Sequence, residues 1–384
     1  MKLNRNIIFL AFGFLFIFLG YSSIQQYITT YFAQEKVVKV GFYSLILIYS
    51  FFMLTSPLAS FFIRKYGAKR CMMLASLLYG FFILSLLVKS SVIVYFSSSM
   101  VGIAASLLWN GQNSYLIRAS QKEYYGRNAG FFTTIISIST TIGVLAIWLL
   151  LQYSTFSEIF LFFSMFPFIG FCLLYIIEDI RVQSTKNHFI TMKKALFSLT
   201  AWRFSTIWFA FTFITGLVVG FIPLEINRVL GLSYIGPLSS AFFVIPILFS
   251  YNFGKISDNI GRKPLVIISF ILAIIGLFLL YFSTILTFII GLFLLAIFYA
   301  LIRPSNLALV GDVSTNENMD SLNSLFWIMQ TLGQVVALFV SLIVQSKMVY
   351  LYSIGVMIFL IFCFLPLFKL PISEIKKKLA EEIN

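Results

Sequence analysis

The chain has 384 residues, of which 60% are hydrophobic and only 10% charged. No soluble globular protein of this length approaches that balance, so a membrane protein is indicated. A net charge of +14 would suit a nucleic-acid binder, but the placement of the bases is explained by membrane topology, and no nucleic-acid partner is expected.

Crossing the hydrocarbon takes about 20 apolar residues per helix. Twelve such runs follow one another, at about 6–32, 40–62, 71–88, 91–117, 128–151, 157–177, 202–225, 237–254, 264–283, 285–310, 321–345 and 348–368. Run 1 follows Lys2 and Arg5, as a secretory leader would. Its apolar stretch continues to Phe32, however, and Gly20-Tyr21-Ser22-Ser23 is a poor cleavage site, so it is read as a spanning helix. With the amino terminus placed in the cytoplasm and the helices alternating, Lys36, Lys39, Lys89, Arg228 and Lys347 fall outside. Of the other 22 of the 27 bases, Arg303 lies within run 10 towards the inner side and the rest fall inside. Both termini are then cytoplasmic, in the cell membrane or, alternatively, an organelle membrane.

Cys71, Cys172 and Cys363 lie on separate runs, and the single histidine, His188, has no neighbouring ligands. No disulfide framework or metal site follows. With no Gly-x-x-x-x-Gly-Lys-Ser/Thr stretch, no nucleotide and no other cofactor is expected, and no catalytic residues.

The longest polar stretch divides the runs six and six. The expected organisation is an amino-terminal bundle (1–178), a central loop (179–201), a carboxy-terminal bundle (202–370) and a short charged tail (371–384). Within the central loop, Phe189 to Phe197 alternates apolar and basic residues at helical spacing, predicting an in-plane helix or a plain linker. The tail reads as a solvated helix end.

Gly254-Lys255-Ile256-Ser257-Asp258-Asn259-Ile260-Gly261-Arg262-Lys263 sits between runs 8 and 9 and is predicted to be a short loop acting as hinge and latch. Ser60 to Arg70 occupies the same place between runs 2 and 3, with Gly67 and Gly261 separated by 261 − 67 = 194 residues, about half the chain. The second copy keeps Gly67 and Lys69 but has Ser60 for the first glycine and Arg64 for the acid. A duplicated six-helix unit with a site between the halves is a recurring transporter plan.

Gly254, Asp258, Gly261, Arg262 and Lys263 in this position resemble the signature loop of the major facilitator superfamily. Pro223, Gly231-Leu232-Ser233, Pro246 and the stretch from Pro304 to Asp312 are similar to that superfamily too. In run 4, Leu108-Trp109-Asn110-Gly111-Gln112-Asn113-Ser114-Tyr115-Leu116 resembles its "uncoordinated", ion-channel-regulatory branch, as does Tyr66-Gly67-Ala68-Lys69 followed by Leu74 to Tyr79. The resemblance implies an all-α polytopic fold of two pseudo-symmetric six-helix bundles. It implies solute transport by alternating access or, alternatively, a non-transporting regulator or trafficking chaperone with a membrane-protein partner. A monomer is expected. As latch, Asp258 would accept hydrogen bonds near Asp320–Ser321, with Arg262 and Lys263 bridging the same seam.

Projected at 100° per residue, polar groups gather on single faces. Run 4 carries Ser99, Gly102, Ser106, Trp109, Asn110 and Asn113, and run 11 carries Asn323, Trp327, Gln330, Gln334, Ser341 and Gln345. Run 1 adds Tyr21, Ser22, Gln25 and Thr29, and run 5 adds Thr133, Ser137 and Thr140. Amides in hydrocarbon must face other helices or water, so these faces either pack between helices or line a cavity. Candidate substrate-binding residues are Gln25, Trp109, Asn110, Asn113, Gln330 and Gln334. With them go Arg303 in run 10 and its face neighbours Tyr299 and Asn306. An arginine at that depth is either a site residue, favouring an anionic solute, or a side chain reaching for the interface. Glu225 and Arg228 read as an interfacial pair. Ser99, where many proton-coupled members carry arginine, and the lack of a Gly-Pro pair after Gly130 and Gly143, argue against proton coupling.

Overall fold

The computed structural model describes residues 4–88, 90–180, 188–315, 317–344 and 347–383. Lys2, Lys89, Arg181, Lys186 and Gln345 lie outside the described residues, as do the side chains of His188, Phe189 and Asp320. The described secondary structure is entirely helical.

Twelve of the described helices are long and apolar enough to cross a membrane. They are α1 (Arg5–Gln34), α2 (Val38–Tyr66), α3 (Ala68–Val88), α4 (Ser91–Arg118), α5 (Tyr125–Leu150) and α6 (Phe156–Ile176). The second six are α7 (Leu199–Val229), α8 (Ile235–Ile260), α9 (Arg262–Tyr281), α10 (Ile285–Val313), α11 (Met319–Val344) and α12 (Met348–Phe368). Two shorter ones are a linker helix (His188–Phe197) and a tail helix (Ile372–Ile383).

The two sets of six form two bundles. They meet chiefly where α5 crosses α8 and α2 crosses α11, with α5 also against α10 and α4 against α11. Exchanging the halves maps each of these crossings onto its counterpart, which is the signature of an internal repeat. Small residues set the separation of α5 and α8. A β-carbon on Gly254 would lie 2.4 Å from the Gly126 carbonyl oxygen, and one on Gly130 would lie 2.6 Å from that of Ser250.

The stretch Gly254–Lys263 is not a loop. Helix α8 continues to Ile260 and α9 begins at Arg262, so Gly261, at φ 88°, is the whole connection. Gly67, at φ 92°, joins α2 to α3 in the same way. Hydropathy marks the thickness of the apolar layer, whereas a helix continues past it until a residue leaves helical φ. Two rigid helices hinged on one glycine place Asp258 and Arg262 on fixed backbone.

The tail also departs from expectation. It is an amphipathic helix whose Ile375, Leu379 and Ile383 are fully buried, against α10, α7 and the linker helix. Glu382 accepts hydrogen bonds from Ser198 and from Thr200 at the start of α7, the latter at 2.5 Å. Its charges had masked a three-residue apolar stripe at helical spacing.

Candidate functional site

A cavity of about 150 Å³ lies between the two bundles. The first bundle contributes Phe18, Tyr21, Ser22, Gln25 and Gln26 from α1, Tyr49 and Phe52 from α2, Tyr79 from α3, Trp109 from α4 and Thr140 from α5. The second contributes Trp208, Phe211 and Thr212 from α7, Phe243 from α8, Tyr299, Arg303 and Asn306 from α10, and Trp327, Gln330 and Gln334 from α11.

Seven of the nine candidate residues are brought together on this wall: Gln25, Trp109, Tyr299, Arg303, Asn306, Gln330 and Gln334. Their neighbours form two sets. Gln25 donates through its amide nitrogen to the Tyr49 hydroxyl, and Gln334 of the other bundle borders the same cavity. Arg303 lies beneath aromatic rings, its guanidinium carbon 5.4 Å from the Trp109 centroid and 5.3 Å from that of Tyr299. It also donates to the Tyr299 hydroxyl. Trp109 in turn packs on Trp327 at 5.4 Å and Phe18 at 4.9 Å. Arg303 is ten residues from the Val313 end of α10, or about 15 Å along the axis at 1.5 Å per residue. Among the described residues it pairs with no carboxylate, and none lines the cavity.

Asn110 and Asn113 are not on this wall. They lie nearer the end that carries Gly67 and Gly261, called here the signature end. There Asn113 donates to Asn323 at 2.5 Å, Asn323 donates to Asn110 at 3.4 Å, and Ser324 reaches the Asn110 side chain at 3.3 Å. The amides of α4 therefore bind α11 directly across the seam. The reasons are angular and axial: Asn110 is about 100° round the helix from Trp109, and Asn113 lies about one turn further towards the signature end.

The other stripes divide likewise. On α1, Tyr21, Ser22 and Gln25 reach the cavity and Thr29 does not, and on α5 only Thr140 does. Ser106 accepts a hydrogen bond from Thr55 on α2 at 2.9 Å, an ordinary helix–helix contact. Glu225 and Arg228 form the expected pair, at 3.7 Å. Tyr49, Tyr79, Trp208, Phe211 and Phe243 are wall residues that the polar stripes did not single out. Aromatic residues in an apolar run carry no periodic contrast, so nothing in their spacing marked them.

Beyond the amide layer, Asp258 accepts hydrogen bonds from the backbone N–H groups of Gly126 at 3.2 Å and Arg127 at 3.1 Å. This corrects the expected partner: the carboxylate meets the start of α5, while Ser321 bonds Thr191 of the linker helix at 2.9 Å. Arg262 stays within its own bundle, donating to Asp258 at 2.7 Å, Asp312 at 3.0 Å and Ser257 at 2.7 Å. Lys263 likewise turns inward, to the Leu367, Phe368 and Leu370 carbonyls that end α12. Neither base bridges the seam. Arg64 does, donating to the Glu317 carbonyl ahead of α11 at 3.0 Å. Lys69 lies 5.1 Å over the Tyr175 ring. At the opposite end the Trp148 indole donates to the Ser233 carbonyl at 3.1 Å, again between bundles.

The family described as "Ion channel regulatory protein UNC-93" matches residues 34–285, and the Major Facilitator Superfamily matches residues 204–383. UNC93-like protein MFSD11 of Xenopus tropicalis is 27% identical over 147 residues, which are 38% of this chain and 33% of that protein. UNC93-like protein 3 of Arabidopsis thaliana is 29% identical over 113 residues, 29% of this chain and 23% of that one. The chain thus matches a third or less of the length of these curated relatives. Two solved structures share the fold at low identity. A bacterial homologue of the iron transporter ferroportin in an outward-facing state superposes at TM-score 0.71, with 11% identity and 99% of each chain covered. The proton:xylose symporter XylE, bound to 6-bromo-6-deoxy-D-glucose, superposes at TM-score 0.76, with 12% identity over 99% of this chain and 98% of that one. On the family match across 34–285, the twelve helices and the paired bundles, the chain is an integral multi-pass membrane protein of the UNC-93 branch of the major facilitator superfamily.

Proposed function

We propose that the protein moves a small solute across a membrane by alternating access, the bundles of residues 1–178 and 202–370 rocking about the cavity between them. The observation that carries this reading is the position of that cavity. It is lined from both bundles, and inter-bundle contacts flank it at both ends: Asn113–Asn323 and Asp258–Gly126 on one side, Trp148–Ser233 on the other. A rocking motion that separates one set opens the cavity to that side.

In this reading the signature end is cytoplasmic, as the base distribution favours, and the membrane is that of the cell. Asp258 and Arg64 hold the cytoplasmic side shut. Arg303 makes the cavity selective for an anionic solute, because a cation at that depth is costly without a counter-charge. The transport mode is facilitative or secondary-active, in a monomer.

The test is flux in proteoliposomes from a variant carrying Asn113→Cys and Asn323→Cys in a background without Cys71, Cys172 and Cys363. Oxidation should stop uptake and reduction should restore it. Uptake that continues through the cross-linked protein would sink alternating access.

A second reading follows from the matched family's description as a channel regulator. The chain would then be a non-transporting membrane partner. Folded protein that carries no solute class in proteoliposomes, yet alters the current of a co-reconstituted channel, would favour it.

A further inference from the structure

We infer that the solute taken by this cavity is a monocarboxylate built on a single aromatic ring. The inference rests on reading the cavity as a solute site.

The charge comes first. Arg303 is one cation on a wall with no carboxylate among the described residues. Its guanidinium carbon lies over the Trp109 and Tyr299 rings, and Nη1 donates to the Tyr299 hydroxyl. That bond takes one of the five N–H donors of a guanidinium, and the others form a fork that matches the two coplanar oxygens of a carboxylate. One cation neutralises one negative charge, so a dianion would keep an unpaired charge in a low-dielectric site.

The hydrogen-bonding groups agree. Asn306 is 3% exposed and Trp327 7% exposed. Neither the Asn306 amide nor the Trp327 indole nitrogen has a hydrogen-bond partner among the described residues. Both residues border the cavity with Arg303. Buried donors without partners are costly, and a carboxylate has acceptor sites for three donors at once.

Size and surface set the rest. Rings dominate the wall, and Tyr21 and Tyr79 meet edge-to-face at 4.6 Å, an arrangement that a further ring can join. The volume of about 150 Å³ is that of a cavity known to accept one benzene ring, about 150 Å³ in an engineered case.

The test is binding to the full-length protein in lipid nanodiscs, followed by quenching of tryptophan fluorescence. The probes are benzoate, benzamide, phthalate and cyclohexanecarboxylate. Benzoate should bind at least about tenfold more tightly than benzamide, the scale of a charge-assisted hydrogen bond. It should also exceed phthalate, and cyclohexanecarboxylate by about threefold. R303Q should bring the benzoate-to-benzamide ratio near one. If that variant does not fold, the wild-type ratios decide alone. Equal binding of benzoate and benzamide by the wild type, or an unchanged ratio in R303Q, overturns the proposal. Benzoate binding without uptake removes transport and leaves the ligand class standing. Uptake of another solute without benzoate binding does the reverse.

Discussion

Asp258 caps a helix of the opposite bundle. The residue ahead of α5, Tyr124, offers no side-chain cap, and the first N–H groups of a helix have no partner within it. The Asp258 carboxylate reaches across from α8 and takes the Gly126 and Arg127 amides instead. An anion there also faces the positive end of the helix dipole. Under the rocking motion proposed above, the cap is lost when the signature end opens, and its energy would bias the equilibrium between the two bundle arrangements.

Asp258→Asn keeps one acceptor but loses the charge and the 2.7 Å pair with Arg262. The closed arrangement should weaken by about 1 kcal/mol, the scale of an N-cap. Uptake should fall several-fold while yield and membrane insertion stay normal. Unchanged uptake kinetics would count against the cap as a latch.

Gly254→Ala puts a methyl group 2.4 Å from the Gly126 carbonyl oxygen, a backbone atom that cannot rotate away. The α5–α8 crossing must widen, at about 1–3 kcal/mol. A lowered melting temperature, with greater labelling of a cysteine placed at Arg127, is the expected pair of readings. Gly261→Ala meets no neighbouring atom, so its effect comes from strain at φ 88° alone.

The amide layer lends itself to a double-mutant cycle. Asn113→Ala and Asn323→Ala each remove the 2.5 Å bond. Their coupling energy, from thermal or denaturant unfolding, should lie at about 0.6 kcal/mol and below about 1.7 kcal/mol, the mean and maximum for side-chain bonds between membrane helices. Strict additivity would show that the bond contributes nothing.

The tail helix gives a matched comparison. Glu382→Ala removes the acceptor of Ser198 and Thr200 and should lower stability by about 1–2 kcal/mol. Glu381→Ala removes only an exposed 3.9 Å contact with Lys377, and its change should stay within about 0.5 kcal/mol. Equal melting curves for the two variants would mean that the tail is not anchored through Glu382.

Much of the fold was legible because hydropathy reports directly on where a chain can sit in a bilayer. Twelve apolar runs became twelve spans, and Gly67 and Gly261 marked both copies of the repeat. Some polar residues that interrupt an apolar face were legible, as Gln25, Arg303, Gln330 and Gln334 were, whereas Gln26 and Thr212 were not. Nor were the partners of any of these residues. Asn110 and Trp109 share one stripe, yet one binds Asn323 and the other faces the cavity, a choice set by which helix lies opposite. Tyr49 carried no signal and Tyr79 entered only through the family resemblance, since an aromatic residue in hydrocarbon looks the same whether it meets lipid, a helix or a solute.

The sequence by itself therefore determined the membrane class, the span count and the duplication, while the single-glycine connections at Gly67 and Gly261 emerged from the structure. Each of the former follows from composition, hydropathy or motif spacing, which can be read along the chain. Tertiary structure alone decided that Asp258 caps α5 from across the seam, that Lys263 turns inward to α12, and that Arg303 lies among aromatic rings without an acid. These are contacts between residues far apart in the chain, and they depend on how close two helices can approach, which the glycines at Gly126 and Gly254 permit.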